Sequence, residues 1–456
     1  MVPYSFIGSL SLTFFMLVLC LQAPSCTGRS PNGMEDVLQE RIYSVDELQA
    51  DFKQFRQFLE ESHPQLYRYT SKRTYDSLFN YHYQRIDHSM TTREFYELLI
   101  PLVARVGCGH TSLWAPDGYW DKAPQRMFPL WVYTHGGELF SIHSYGQESP
   151  ISPGRKILSI NGVAADAIVM KIVNNIWSDG FIMSKRIQRF NAVFPYLYAL
   201  NYGFPEHFMI EFLESGNVKQ VNMNPVSRIH VDASIDSIYA PGGARYPGLG
   251  LELVDEKSAI LRIGSFAYYD NTEGFNSFID SSFMVIRDHH IKHLIIDLRG
   301  NDGGDPFCSS HLLTYLQREP VVYFRERYGQ YARLNQPLPM AEHPYKGNQY
   351  YLIDGVCFST TGHFTSLLKY HNLGIFIGEE AGATYTCNDA SHDVRLKYTA
   401  YRLQSARRSF TAAAYGFPMD QGILPDHYVQ QTIEEAIRGC DAVLEYTLKL
   451  ISALPE

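Results

Sequence analysis

The chain has 456 residues, of which 45% are hydrophobic and 19% are charged, and these values are typical of a globular protein. This length is sufficient for two or three domains with sizeable cores. The formal net charge is −9, the sequence pI is about 6.0, and no basic stripe is present. These features exclude nucleic acid as an expected partner.

An apolar run from Phe6 to Leu21 lies close to the start of the chain and is followed by polar residues. Such a run, close to the start and followed by small residues, is typical of a secretion signal. Cys26 follows Ala-Pro-Ser and loosely resembles the cysteine of a bacterial lipoprotein signal, although the usual Leu three positions earlier is missing. We therefore expect residues 1–26 to be a signal peptide. The mature protein would be secreted or held in the cell envelope (periplasm or outer surface), with or without a membrane-anchoring lipid on Cys26.

The cysteines beyond Cys26 are scattered, odd in number and without CxxC spacing. This pattern indicates neither a disulfide framework nor a zinc site, so we expect no metal. They are Cys108, Cys308, Cys357, Cys387 and Cys440.

Residues 40–120 carry two helix-start signals and predict an N-terminal helical domain. Capping boxes begin at Ser44 and at Thr91, each followed by apolar residues at helical spacing. The second helix leads into Gly107-Cys108-Gly109-His110, where the two glycines favour a tight turn. His110 is a candidate catalytic residue because functional residues gather in such loops, although a single histidine is more often structural.

Residues 125–225 have the alternating pattern of strands and the Asn161-Gly162 signal of a β-hairpin. The segment PGRKILSINGV resembles the pattern of PDZ domains, which bind extended peptides along a sheet edge. We expect a PDZ-like domain here. Residues 226–250 are rich in Gly, Pro and Ser and predict a linker.

Residues 251–456 predict an α/β domain. A buried strand, Leu294 to Leu298, runs into Arg299-Gly-Asn-Asp-Gly303-Gly304 and then a helix. This turn could hold a phosphate, but it lacks the known nucleotide-binding spacings. A glycine pair at such a turn can instead offer a backbone N–H to an oxyanion.

Ser359 lies between an apolar strand pattern and a helical pattern. The free N–H groups at a helix start favour negative charge, so the position suits a nucleophile. The alternative is that Ser359 is only a helix N-cap. The C-terminal stretch from Thr432 to Leu450 predicts a single amphipathic helix.

Three segments together resemble the carboxy-terminal-processing (tail-specific) serine peptidases: LIIDLRGNDGG, CFSTTGHFTSLLKYHNLGIFIGEEAG and QGILPD. The resemblance implies an α/β fold with a ClpP/crotonase-like ββα spiral core, beside the helical and PDZ-like domains. One branch of the family uses a lysine after the serine, but no Lys or Arg lies between Tyr370 and Val394. The GCGHTS segment is similar to the histidine loop of the other, tricorn-like branch.

The resemblance to this branch implies a site without a metal or cofactor. Its residues are Ser359 as nucleophile, His110 as general base, Asp420 as the supporting acid, and the N–H groups of Thr360 and of Gly303 or Gly304 as the oxyanion hole.

Two positions depart from the family pattern: Cys108 stands where Asp is frequent, and His363 stands where an acidic residue is frequent. His363 is therefore a rival base for Ser359. The leading hypothesis is a serine endopeptidase that cleaves extended peptides or the C-terminal regions of unfolded proteins. The alternatives are a catalytically silent carrier of an apolar ligand or peptide, since retinoid carriers of the eye share this core, and a hydrolase of other esters or amides. The oligomeric state is not predicted.

Overall fold

The computed structural model describes residues 41–146, 148–239 and 248–454 of the chain. The apolar run from Phe6 to Leu21 and Cys26 lie outside these residues, so the export signal and the lipid stay predictions. Within the described ranges, no helix is long and apolar enough to cross a bilayer.

Helices dominate the first part of the described chain, and two of them begin at the capping boxes expected from the sequence. The Ser44 hydroxyl accepts the backbone N–H of Glu47, and Thr91 accepts that of Glu94 in the same way. These hydrogen bonds confirm both predicted helix starts. The elements are β1 Ile42–Tyr43, α1 Val45–Ser62, α2 Lys72–Gln84, β2 Met90–Thr91, α3 Thr92–Arg105, β3 Ser112–Trp114 and α4 Tyr119–Lys122.

An antiparallel sheet follows, in the strand order β4-β5-β6-β8-β9, with β7 paired to β6. Both Asn161 and Gly162 have positive φ (50° and 77°) between β6 and β7, which confirms the predicted Asn-Gly hairpin. Helix α7 lies in the stretch expected to be a linker. The elements are β4 Leu130–His135, β5 Glu138–Ser144, β6 Lys156–Ile160, β7 Val163–Ala164, α5 Ala165–Asn174, α6 Met183–Tyr202, β8 Phe208–Glu214, β9 Asn217–Met223 and α7 Arg228–Tyr239.

The second large sheet has the order β10-β11-β12-β15-β16-β21; β10 is antiparallel to β11, and the other neighbours are parallel. Its strands are largely buried, as expected for a parallel sheet between helices, and the chain has an α/β fold. The elements up to β16 are β10 Gly250–Leu253, β11 Ser258–Arg262, α8 Thr272–Asp288, β12 His293–Asp297, α9 Pro306–Leu316, β13 Val321–Val322, a 3₁₀ helix Gly329–Asn335, β14 Pro337–Leu338, β15 Asn348–Ile353, α10 Thr360–Tyr370 and β16 Ile375–Gly378.

Short strands after β16 connect this core to the helical part. Strand β19 pairs antiparallel with β3, with Leu403 opposite Leu113, so the loop that ends at His110 is held beside the core. These strands are β17 Thr386–Asp389, β18 His392–Arg395, β19 Arg402–Ser405, β20 Arg408–Thr411 and β21 His427–Tyr428.

Two helices end the described chain, α11 Ile433–Arg438 and α12 Ala442–Ser452, where the sequence predicts one. The prediction of a single helix is wrong because Gly439 adopts a left-handed conformation (φ 66°) and closes α11. Asp441 then caps a new helix by accepting the N–H of Leu444.

The fully buried side chain of Asn301 joins three parts of the core. Its amide donates to the carbonyl of Ile263 (2.9 Å), and its Oδ1 accepts the N–H of Gly303 (3.0 Å) and the hydroxyl of Thr361 (2.7 Å). Its backbone carbonyl also accepts the N–H of Phe358 (3.1 Å). Asn301 therefore ties the end of β11 and the turn after β12 to the start of α10.

We expect Asn301→Ala to lower the free energy of unfolding by at least about 2 kcal/mol, because it leaves buried donors and an acceptor without partners. The measurement is urea unfolding followed by circular dichroism. Asn348→Ala is the control, because that asparagine is exposed at the start of β15. Equal unfolding midpoints for the two variants would contradict this role of Asn301.

Candidate active site

Ser359 has an unusual backbone at the junction of β15 and α10. Its φ is 55° and its ψ is −121°, and its side chain makes no capping hydrogen bond to the helix. The N-cap interpretation is therefore wrong for the side chain. A positive φ at a non-glycine residue is strained, and such strain recurs where a strand-to-helix turn presents a nucleophile.

The glycine turn after β12 packs directly against Ser359. A Cβ at Gly303 would lie 2.7 Å from the Ser359 Cβ and 3.0 Å from the Thr360 nitrogen, so only glycine permits this approach. The Thr360 hydroxyl donates to the carbonyl of Gly304 (2.5 Å) and fastens the turn to α10. The N–H of Gly303 is already donated to Asn301, as described above.

His110 reaches the same place from the helical part. Its ring stacks on that of Phe358, the residue before Ser359, with the centroids 4.6 Å apart. The adjacent Gly109 also lies on Phe358, where a side chain would overlap the ring. Among the described residues, no hydrogen bond joins His110 to the Ser359 hydroxyl. The structure thus brings the two residues to the same part of the chain's core without a hydrogen bond between them.

Two carboxylates lie near His110. Asp389, at the end of β17, has its Oδ1 3.6 Å from His110 Nε2. Asp179 is buried, and its Oδ1 accepts the N–H of Gly109 (2.8 Å). Burial raises the pKa of Asp179, and the nearby charge of His110 opposes this shift. Asp179 Oδ2 and His110 Nδ1 are both buried without a hydrogen-bond partner in the described part of the chain.

Asp420 is the acid expected from the family motif. Its backbone, but not its side chain, lies near the histidine loop. A Cβ at Gly180 would approach the Asp420 carbonyl oxygen to 2.5 Å, and Gly180 pairs with Gly107 of the histidine loop. The side chain of Asp420 is exposed. No hydrogen bond or ion pair joins its carboxylate to a described residue, so the structure does not bring this carboxylate to His110.

His363, the rival base, is buried in the first turns of α10. Its Nε2 faces the carbonyl of Phe410 (3.1 Å) and the thiol of Cys387 (3.4 Å). Burial lowers the pKa of His363 to about 4. Such an imidazole is a weak base at neutral pH, so the environment of His363 disfavours it for proton abstraction.

The buried His363 predicts an acid-sensitive stability. Its pKa is about 4 in the folded chain and about 6.5 when exposed, so the unfolded chain binds the extra proton between these values. The free energy of unfolding should therefore fall as the pH is lowered from about 6.5 to about 4. His63, whose pKa burial also lowers to about 4, acts in the same direction.

We expect His363→Gln to weaken this pH dependence, measured by urea unfolding at intervals between pH 6.5 and pH 4.5. The control is His343→Gln, because the His343 side chain is 57% exposed. The same slope in wild type and His363→Gln would contradict the prediction.

The sequence interpretation missed Asp389 and Asp179. Asp179 is followed by glycine and indicates only a turn, and Asp389 lies in no recognisable motif. Each comes near His110 through contacts between distant segments. Among the described residues, no cluster of three or more His, Cys, Asp or Glu side chains is placed to hold a metal ion.

Comparison with known structures finds the same fold at low sequence identity. Mature CPAF aligns with a TM-score of 0.62 at 14% identity, covering 89% of this chain and 96% of that chain. Mature CPAF complexed with lactacystin aligns with a TM-score of 0.61 at 13% identity, covering 89% and 97%. The shared fold therefore includes the parts that precede the α/β core.

Comparison with curated proteins finds no match. The family model for Peptidase family S41, in contrast, matches residues 257–429. This range contains Ser359 and the Gly303–Gly304 turn, whereas His110 precedes it. Residues 257–429 thus match Peptidase family S41, in agreement with the resemblance to serine peptidases seen in the sequence motifs.

Proposed function

We propose that the chain is a serine endopeptidase that cleaves extended peptides, or the C-terminal regions of proteins, through an acyl-enzyme on Ser359. The observation that carries the proposal is the strained backbone of Ser359 (φ 55°) beside the glycine turn that follows β12. Peptidases of this family act on peptide or protein substrates. What we propose beyond this is where the chain cleaves and by which residues.

In the first step, Ser359 Oγ forms a bond to the scissile carbonyl carbon while its proton passes to the His110 imidazole. The imidazolium then gives this proton to the leaving amine as the C–N bond breaks, and water releases the acyl group by the same route in reverse. No hydrogen bond joins Ser359 and His110 in the described chain, but the His110 ring packs against Phe358, the residue before Ser359. Catalytic hydrogen bonds are often long before substrate binds, so a small closure on binding suffices.

The negative charge that develops on the carbonyl oxygen needs backbone donors. We assign this role to the N–H groups of Thr360 and Gly304. Thr360 is the first residue of α10, and the first N–H groups of a helix have no partner within it. Gly304 is preferred to Gly303, because the Gly303 N–H already donates to Asn301.

The motif and the geometry predict different acids to support His110. The family motif predicts Asp420, whereas the geometry favours Asp389, whose carboxylate lies 3.6 Å from Nε2. A carboxylate at one ring nitrogen fixes the tautomer and stabilises the imidazolium. With Asp389 at Nε2, the nitrogen left to take the serine proton is Nδ1.

Hydrolysis of a mixed peptide library tests the nucleophile and the base. Ser359→Ala and His110→Ala should each lower the cleavage rate by about 10⁴-fold or more, because the two act as a unit. Ser281→Ala and His343→Ala are matched controls at exposed positions and should cleave like wild type. Activity that survives His110→Ala but not Ser359→Ala would contradict His110 as the base. Absence of cleavage by wild type would contradict the peptidase and favour the carrier alternative.

Parallel replacement of the two acids decides between them. We expect Asp389→Asn to lower kcat by about 10²- to 10⁴-fold, because the amide disturbs the imidazole tautomer. Asp420→Asn should keep kcat within about threefold of wild type, because no contact joins that carboxylate to His110. The measurement is steady-state kinetics on a peptide selected from the library. The reverse order of the two effects would support the family-motif acid and contradict the geometric assignment.

A further inference from the structure

Lys185, near the start of α6, extends to the active site from the part of the chain that holds the antiparallel sheet. Its Nζ lies 2.6 Å from Asp302 Oδ1 and 3.9 Å from the ring centroid of Phe358. The Lys185 side chain is only 14% exposed. One ammonium group therefore makes both an ion pair, to a carboxylate whose side chain is 41% exposed, and a cation–π contact to a buried ring.

The two partners of Lys185 stand next to the reacting groups. Asp302 immediately precedes the Gly303–Gly304 turn, which faces Ser359. Phe358 immediately precedes Ser359, and its ring lies under that of His110 at 4.6 Å. A shift of Lys185 would therefore move the Gly303–Gly304 turn, and through Phe358 it would also move Ser359 and His110.

The surrounding backbone is shaped around this lysine. A Cβ at Gly355 would lie 2.7 Å from the backbone nitrogen of Lys185, and a Cβ at Gly382 would lie 3.0 Å from the side-chain Cδ of Lys185. Glycine at both positions lets α6 and the lysine stem approach the core closely. Such a fit restricts the position of the ammonium group more than an exposed surface ion pair would.

We propose that Lys185 is a positioning residue for the reaction. It holds the Gly303–Gly304 turn and the packed rings of Phe358 and His110 in their places beside Ser359. The inference rests on the proposed function and extends it, because it makes catalysis depend on the contact between α6 and the core. Misplacement of catalytic groups by about 1 Å can cost about 10²-fold in rate, so a residue that touches no substrate can still control turnover.

Steady-state kinetics of Lys185→Met, Lys185→Arg and Asp302→Asn test the proposal on the peptide that wild type cleaves. We expect Lys185→Met to lower kcat by about 10- to 100-fold with KM within about threefold of wild type. Asp302→Asn keeps the side-chain shape and removes the charge, and it should lower kcat in the same direction. Lys185→Arg retains the positive charge and should restore part of the loss.

Lys171→Met is the matched control. Lys171, on α5, also combines an ion pair (3.1 Å to Glu97) with a cation–π contact (4.7 Å to Tyr202), but it lies away from the site. Its loss should leave kcat unchanged, whatever its effect on the thermal unfolding midpoint.

The outcomes separate the inference from the function on which it rests. Wild-type kcat in both Lys185→Met and Asp302→Asn would overturn the positioning role and leave the peptidase intact. Equal losses of stability in Lys185→Met and Lys171→Met, with kcat unchanged in both, would show that the lysine is only structural and would also overturn it. Absence of hydrolysis by wild type itself would contradict the proposed function.

Discussion

The hydrogen bonds of one buried asparagine hold the candidate site together. Asn301 accepts the N–H of Gly303 and the hydroxyl of Thr361, and its carbonyl accepts the N–H of Phe358. These bonds connect the glycine turn to the backbone on either side of Ser359. The strain in the Ser359 backbone persists because these contacts over-determine its position, as is usual where strain serves function. Because Asn301 also accepts the N–H of Gly303, the oxyanion donors that we propose are Gly304 and Thr360.

Features that depend on neighbouring residues could be predicted from the sequence. Both capping boxes form, because the side chain and the N–H that pair are only three residues apart. The Asn161-Gly162 hairpin forms because both residues tolerate positive φ. The strand, glycine turn and helix around Ser359 are also local, and they allowed the family to be recognised. The prediction of a single C-terminal helix was wrong, because the apolar periodicity continues across Gly439, where the first helix ends.

Features that depend on distant segments could not be predicted in this way. Asp389 lies near His110 although the two are 279 positions apart in the sequence; Ser391, two residues after Asp389, donates its hydroxyl to the carbonyl of His110 (3.3 Å). No local pattern marks such a carboxylate. Lys185 is equally inconspicuous, since a lysine near the start of a helix is ordinary in sequence. The motif predicts Asp420 from its position in the sequence, whereas the direction of its side chain depends on the fold.

The central claim is that Ser359 is a nucleophile activated by His110. The most direct measurement is the reaction of the folded protein with a fluorophosphonate, followed by intact mass and peptide mapping over time. We expect one adduct per chain, on Ser359, formed rapidly in wild type and at least about 10²-fold more slowly in folded His110→Ala. A folded wild-type protein that stays unmodified, or that is modified at another residue, would contradict it.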